Sequence, residues 1–381
     1  MRAGDRDREV AVLVCAVVFV DTVFYAALAP LLPSLVTELH LSKPSAGLLT
    51  AALPLGTLAG SIPGGILAAR RTPRFAVCAG LALLAVSCVA FGLLHTLSML
   101  DAARFVQGLG GACSWAGGMT WLVNASGDGG RGTAVGTALG VAIVGALFGP
   151  AVGAIAAAVG RPIVFCSVAA ASTILIFWAR ALPSSSVASV QGLREILTIA
   201  RRRRVVAGMW LMLVPAVASG VLTVLAPLRL NDLGAGAGAI GATFLIAGAL
   251  EAVITPAFGR LADRQGRLVP MRIGLCVATT LLLLLTLPGN ALVYAAVLIA
   301  TLASFGSFWA PATAMLSEAA EAAGLVRELG FGLVNLAWAA GLIIGAAGGG
   351  ALAGIAGNGA ALVAVAAVCG VTLAVLAAWR G

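Results

Sequence analysis

A chain of 381 residues with 61% hydrophobic positions, 10% charged ones and a mean hydropathy of +1.08 is too apolar for a soluble enzyme, in which charged residues make up about a quarter. A membrane-spanning helix takes ~20 mostly apolar residues, so the hydrophobic positions fill about twelve spans and leave little for anything else. The net charge of +9 would suggest nucleic acid in a soluble protein, but in a membrane protein it reports arginine-rich cytoplasmic loops.

Apolar runs bounded by charges or turn residues predict spans at 10–37, 46–69, 75–94, 100–123, 132–159 and 163–182. The longest polar stretch, 183–204, follows, and further spans are predicted at 205–228, 239–258, 269–287, 291–316, 331–355 and 360–379. The expectation is an all-α membrane protein: a six-helix bundle at 1–182, a cytoplasmic linker at 183–204 and a second six-helix bundle at 205–381. In the linker, Leu193, Ile196, Leu197 and Ala200 share a helical face opposite Arg194, Thr198 and the run Arg201 to Arg204. That pattern fits an interfacial helix on the anionic inner leaflet; a merely solvated linker is the alternative.

The basic residues test this map. With both termini and every second connection in the cytoplasm, nineteen of the 23 basic residues lie inside, Lys43, Arg161 and Arg229 lie outside, and Arg104 falls within a span. A missed helix would invert the bias downstream of it. The N-terminal run has a cleavage-like Ala27-Leu28-Ala29, yet it is too long for a signal peptide, carries Asp21 and puts Pro30 where cleavage would occur. The seven cysteines fall inside predicted spans without a CxxC pair and read as packing residues, and the two histidines, His40 and His95, sit near outer helix ends. No nucleophile–base or metal constellation is apparent, so neither enzymatic activity nor a cofactor or metal is expected.

Two loops repeat. Gly65-Ile-Leu-Ala-Ala69-Arg70-Arg71-Thr72-Pro73-Arg74 and Gly259-Arg-Leu-Ala-Asp263-Arg264-Gln-Gly266-Arg267 lie 194 residues apart, as a duplication of six-helix halves would place them. The second copy resembles the G-x-L-x-D-R-x-G-R loop of the major facilitator superfamily almost fully. Arg104-Phe-Val-Gln107-Gly108 in the fourth span is similar to that family's R-x-x-Q-G stretch. Gly145-Ala-Leu-Phe-Gly149-Pro150-Ala-Val-Gly153 in the fifth is similar to the G-x-x-x-G-P-x-x-G motif of its drug:proton antiporters. The resemblance implies two pseudo-symmetric bundles that transport by alternating access. Ala69, Thr72 and Ala154 depart from the pattern. In the family the loop acid pairs with a helix N-terminus of the opposite half, where a negative charge is favourable by ~0.3–1 kcal/mol. The resemblance, carried over by position, points to a latch between Asp263 and Arg131; in the other copy, where Ala69 replaces the acid, we expect the polarity reversed, Arg70 or Arg71 facing Glu321 or Glu328. Ordinary solvated loop charges are the alternative.

Three ionisable residues lie at membrane depth, where each costs ~2.5–3.5 kcal/mol near a helix centre. Asp21 shares a face with Tyr25 and is a candidate proton carrier. Arg104 shares a face with Gly108, Gly111 and Trp115. It is either one end of a fixed ion pair between the first and fourth spans or, as the resemblance implies, a cation oriented by Gln107 that modulates protonation of the first-span acid. Glu251, on a face with Phe244, Gly248 and Thr255, reads as a second proton site, an acid for a cationic substrate, or a structural acid. Tyr25, Gln107, Trp115, Trp309, Asn335 and Trp338 are candidate cavity residues; Ser219, Thr223, Ser304 and Ser307 are expected mostly to bond their own backbone. Sugar or peptide recognition would need a denser polar array.

The expected function is proton-coupled export of small lipophilic or cationic compounds by a monomer whose partners are its substrate, protons and the bilayer, not nucleic acid. Abundant Arg, Ala and Gly with a single Lys suggest a high-GC bacterium and hence its cytoplasmic membrane. The alternatives are a proton symporter or uniporter importing a metabolite and, from another class, a transport-inactive sensor or interaction protein.

Overall fold

The computed structural model describes residues 3–126, 131–183, 198–325 and 327–378, which are almost wholly helical, with no strand among them. Among these residues nine helical stretches are long and apolar enough to cross a membrane. One of them, Gly332–Ala378, has 47 residues, about twice what a bilayer needs, and turns at Gly357, whose φ of 85° leaves helical geometry. The helix Leu97–Ala125 is 29 residues long but carries Asp101 and Arg104, and Leu268–Leu284 is shorter and apolar. These make up twelve passes in the predicted order. The interfacial helix expected at 193–200 falls mostly on 184–197, outside the described residues.

Local sequence explains where the passes start and break. The first is two helices, Ala3–Ala26 and Leu28–Glu38, because Pro30 has no N–H for the Ala26 carbonyl and its ring crowds that position. The third, Pro73–Leu93, is capped by the Thr72 hydroxyl, which accepts from the Phe75 N–H at 3.1 Å, with Pro73 in the first turn. In the duplicated loop the same position is Gly266, at φ 87° and ψ 152°, a conformation open essentially to glycine alone. Thr72 therefore replaces the repeat's glycine by making the turn with a side-chain cap. The tenth pass starts behind Asn290, which accepts from the Leu292 and Val293 N–H groups at 2.8 and 3.3 Å, and is interrupted at Phe305 between Ala291–Ser304 and Gly306–Ala322.

The chain forms two compact units, residues 1–34 with 52–190 and residues 35–51 with 191–381. In the first, the fifth pass Arg131–Val159 packs on the first through its glycine stripe. A Cβ at Gly145 would stand 2.8 Å from the Phe19 carbonyl oxygen, one at Gly149 2.7 Å from that of Val23, and one at Gly153 would overlap Ala27. In the second unit the eleventh pass does the same against the seventh, Arg203–Asp232. A Cβ at Gly341 would stand 2.7 Å from the Leu213 carbonyl oxygen, one at Gly349 2.7 Å from the Val221 side chain, and one at Gly345 would overlap Val217. Lipid tails give apolar helices no hydrophobic reason to associate, so close backbone packing carries the association.

Gly149→Ala and Gly345→Ala are each expected to destabilise the detergent-solubilised protein by ~1–3 kcal/mol, the cost of overpacking. Gly140→Ala, where nothing lies within 4 Å, should be neutral or stabilising by up to ~1 kcal/mol through helix propensity. Thermal unfolding of the three variants measures the contrast.

Candidate functional site

In the first unit the fourth pass presents Arg104, Gln107, Gly111 and Trp115 along two and a half turns. Arg104 and Gln107 are 2% and 1% exposed, which makes them the most deeply buried strongly polar pair of this helix. Arg104 Nη1 donates to Gln107 Oε1 at 2.8 Å, and its guanidinium carbon stands 6.0 Å from the centre of the Phe91 ring, within cation–π range. Phe91 belongs to an aromatic cluster with Phe24 and Phe165, whose ring centres are 4.9 to 6.1 Å apart. This apolar floor joins the first, third and sixth passes beneath the cation. Asp21 takes its hydrogen bond not from Arg104 but from the Trp115 indole, Nε1 to Oδ2 at 3.0 Å. Gly111 leaves room for the carboxylate: a Cβ there would stand 2.9 Å from Oδ1. Arg104 Nε and Gln107 Nε2 are buried donors without a partner. Tyr25 is half-buried one turn beyond Asp21.

The second unit repeats the motif without the cation. Glu251, half-buried in the eighth pass Ala237–Gln265, accepts from the Trp309 indole and sits over Gly306, where a Cβ would be 3.2 Å from Glu251 Cγ. Thr255 bonds back to the Glu251 carbonyl at 2.8 Å. Ser304, Ser307 and Thr223 bond their own helix backbone, the role expected of them. Trp338 is half-buried and Asn335 exposed on the eleventh pass.

At the cytoplasmic ends by the predicted topology, Gly65 and Gly259 have nothing within 4 Å of a built Cβ. Arg267 instead forms a two-pronged bond to Glu318, both prongs 2.5 Å, joining the repeated loop to the end of the tenth pass. That bond holds the Arg267 guanidinium above its ordinary pKa. Glu318 was not among the residues singled out from sequence; an acid one turn inside a helix end, opposite a loop rich in arginine, is its only signal. The eleventh-span stripe Gly341, Gly345 and Gly349 was also readable as glycine at every fourth position. The side chains of Arg131 and Glu328 lie outside the described residues, and with them the expected Asp263–Arg131 latch and the Glu328 alternative of the other.

The sequence matches the model of the Major Facilitator Superfamily over residues 14–327. The chain belongs to this superfamily. No curated protein matches it. The crystal structure of the nucleoside transporter NupG, as a D323A mutant, is similar at 13% identity with a TM-score of 0.78, over 98% of this chain and 100% of that one. A D-xylose-proton symporter is similar at 18% identity and TM-score 0.76, covering 98% of each chain. A bacterial homolog of the human lysosomal transporter Spinster, inward-facing and unoccupied, is similar at 13% and 0.78, over 97% of this chain and 96% of that one. At such identities the likeness is one of fold. The superfamily membership makes this protein a multi-pass membrane transporter.

Within this transporter, Gln107→Leu removes the acceptor of a buried guanidinium N–H. The expected cost is ~1–3 kcal/mol, read as a lower unfolding temperature in detergent. Arg104→Lys should not restore full stability, since an ammonium lacks the fork that serves Gln107.

Proposed function

We propose that this transporter is a proton-coupled exporter of small lipophilic or cationic compounds, a drug or metabolite:proton antiporter of a bacterial cytoplasmic membrane with both termini inside. The observation that carries this reading is Asp21, a carboxylate on the first pass bonded by Trp115 and set beside a buried arginine whose Nε has no partner. A carboxylate at that depth is a functional group by default, since retaining it costs insertion energy. Protonated, it presents no charge to a cation; deprotonated, it attracts one. Proton from outside and substrate from inside then compete for one centre. Arg104, held by Gln107, stands as a fixed positive charge on the pass that meets the acid.

The halves in this reading are residues 1–182 and 205–381, with the linker 183–204 between them, working as a monomer. Tyr25, Trp115, Trp309, Asn335 and Trp338 line the route, and the sparse polar lining suits greasy compounds better than sugars. Asp263 with Arg131, and Arg70 or Arg71 with Glu321 or Glu328, are proposed as cytoplasmic latches. One proton moving down 100 mV releases ~2.3 kcal/mol, which supports a gradient of roughly fifty-fold when one charge moves per cycle.

Everted vesicles loaded with a pH-sensitive dye test the reading. Adding a transported lipophilic cation is expected to dissipate an imposed proton gradient, and Asp21→Asn, which mimics the protonated acid, is expected to abolish that response and to weaken binding of the cation. Dissipation unchanged in Asp21→Asn overturns the role of Asp21. Uptake that runs with the proton, rather than against it, makes the protein an importer.

A further inference from the structure

The two halves share more than their loops. The second and eighth passes start at Lys43 and Ala237, and the fourth and tenth at Leu97 and Ala291, each pair 194 residues apart, the same interval that separates Gly65 from Gly259. Trp115 and Trp309 are separated by that interval too. Both indoles donate to a carboxylate of their own unit, Trp115 to Asp21 and Trp309 to Glu251. Both carboxylates rest against a glycine just before the tryptophan on its pass, Gly111 and Gly306.

The acids themselves do not correspond. At the repeat interval Asp21 aligns with Pro215 and Glu251 with Thr57. One acid comes from the first pass of its half and the other from the second pass of its half. What the duplication kept in register is the indole; the glycine gap lies four residues before it in the first half and three in the second, and each half supplies the carboxylate from a different neighbour. Two acids arriving by separate routes at the same indole position are not explained by inheritance of a salt bridge or of a packing contact. An indole N–H is a donor and never an acceptor, so its one polar use at depth is to hold an oxygen. Donation to a carboxylate is charge-assisted and favours its ionised form over its neutral one.

We propose that Trp115 and Trp309 are a duplicated indole clamp: positioning residues that each hold one carboxylate, Asp21 and Glu251, ready to exchange a proton or a cation, giving the chain two such centres, one per half. This rests on the reading of Asp21 as a coupling group and extends it to a second centre. The exchange is balanced within each site. A proton from the aqueous side adds to the carboxylate and returns there, the indole keeping its own proton throughout. The titratable and charged side chains around Asp21 are Arg104 and Tyr25, with the Cys88 thiol beyond them. Among the described residues no charged side chain of the neighbouring passes acts on Glu251. The two centres therefore differ in surroundings and respond to pH independently.

The experiment uses full-length protein with ¹⁵N-labelled indoles in lipid nanodiscs, without substrate. The seven tryptophans give seven side-chain N–H signals, of which those of Trp115 and Trp309 are identified by their loss in Trp115→Phe and Trp309→Phe. As the pH falls from about 9 to about 4, across the range in which buried carboxyls titrate, both signals are expected to move. In Asp21→Asn the Trp115 signal becomes insensitive to pH while that of Trp309 still moves, and Glu251→Gln gives the converse. Wild-type infrared difference spectra over the same range supply a second reading: two carboxyl C=O bands, one shifted by Trp115→Phe and the other by Trp309→Phe. The clamp is overturned if either signal is static in the wild type, if it keeps moving after loss of its own acid, or if one acid variant silences both. None of these readouts requires transport. A failed vesicle assay with both signals still titrating overturns the export reading and leaves the two centres standing.

Discussion

Backbone contact between helices is the constraint from which the rest of this molecule follows. In the first unit the glycine stripe of the fifth pass admits the carbonyls of Phe19 and Val23 to a distance that any side chain would forbid. That contact fixes the rotation of the first pass about its axis. Successive residues of a helix turn by 100°, so with Phe19, Thr22, Val23 and Ala26 committed to the fifth pass, Asp21 is carried round to the fourth. There Gly111 and Trp115 meet it. The placement of the acid is thus a consequence of packing elsewhere on the same helix, and it costs no separate device.

The duplication makes the comparison between halves informative. The stripe is kept: Gly145, Gly149 and Gly153 answer to Gly341, Gly345 and Gly349, and their contact residues Phe19 and Val23 to Leu213 and Val217. The indole is kept as well. The cation is not, since the positions matching Arg104 and Gln107 are Leu298 and Thr301. One half therefore offers an acid beside a permanent positive charge and two unused donors, and the other an acid in apolar surroundings.

Much of this was legible before any coordinates. Twelve passes follow from hydropathy and from the sorting of arginines by loop, because lipid leaves an apolar run of that length little choice but to span. The break after Ala26, inside the span expected at 10–37, was not read although Pro30 carries its signal, whereas the repeated loop was legible from its own spelling. The depth of Asp21, Arg104 and Glu251 was readable too, because charge in an apolar run is conspicuous, while the tie between Arg104 and Gln107 came with the family resemblance. What each acid bonds was not readable. Seven tryptophans were on offer, and which of them reaches a carboxylate depends on the rotation of a neighbouring helix, which no local pattern states. The interruption at Phe305 was hidden for a similar reason: Gly306 and Pro311 are tolerated in many continuous helices, and what they do here depends on the Thr255 and Glu251 atoms pressed against Gly306.

That interruption separates the halves mechanically. The fourth pass runs unbroken from Leu97 to Ala125, a single rod, so Trp115 turns only when the whole rod turns. The tenth changes to shorter hydrogen-bond steps around its break, the Phe305 N–H reaching back to Leu302 and that of Phe308 to Phe305, one residue before Trp309. Trp309 thus lies within one turn of a joint in its own helix, whereas Trp115 lies well inside a continuous rod, so the two indoles are carried by helices of different local stiffness.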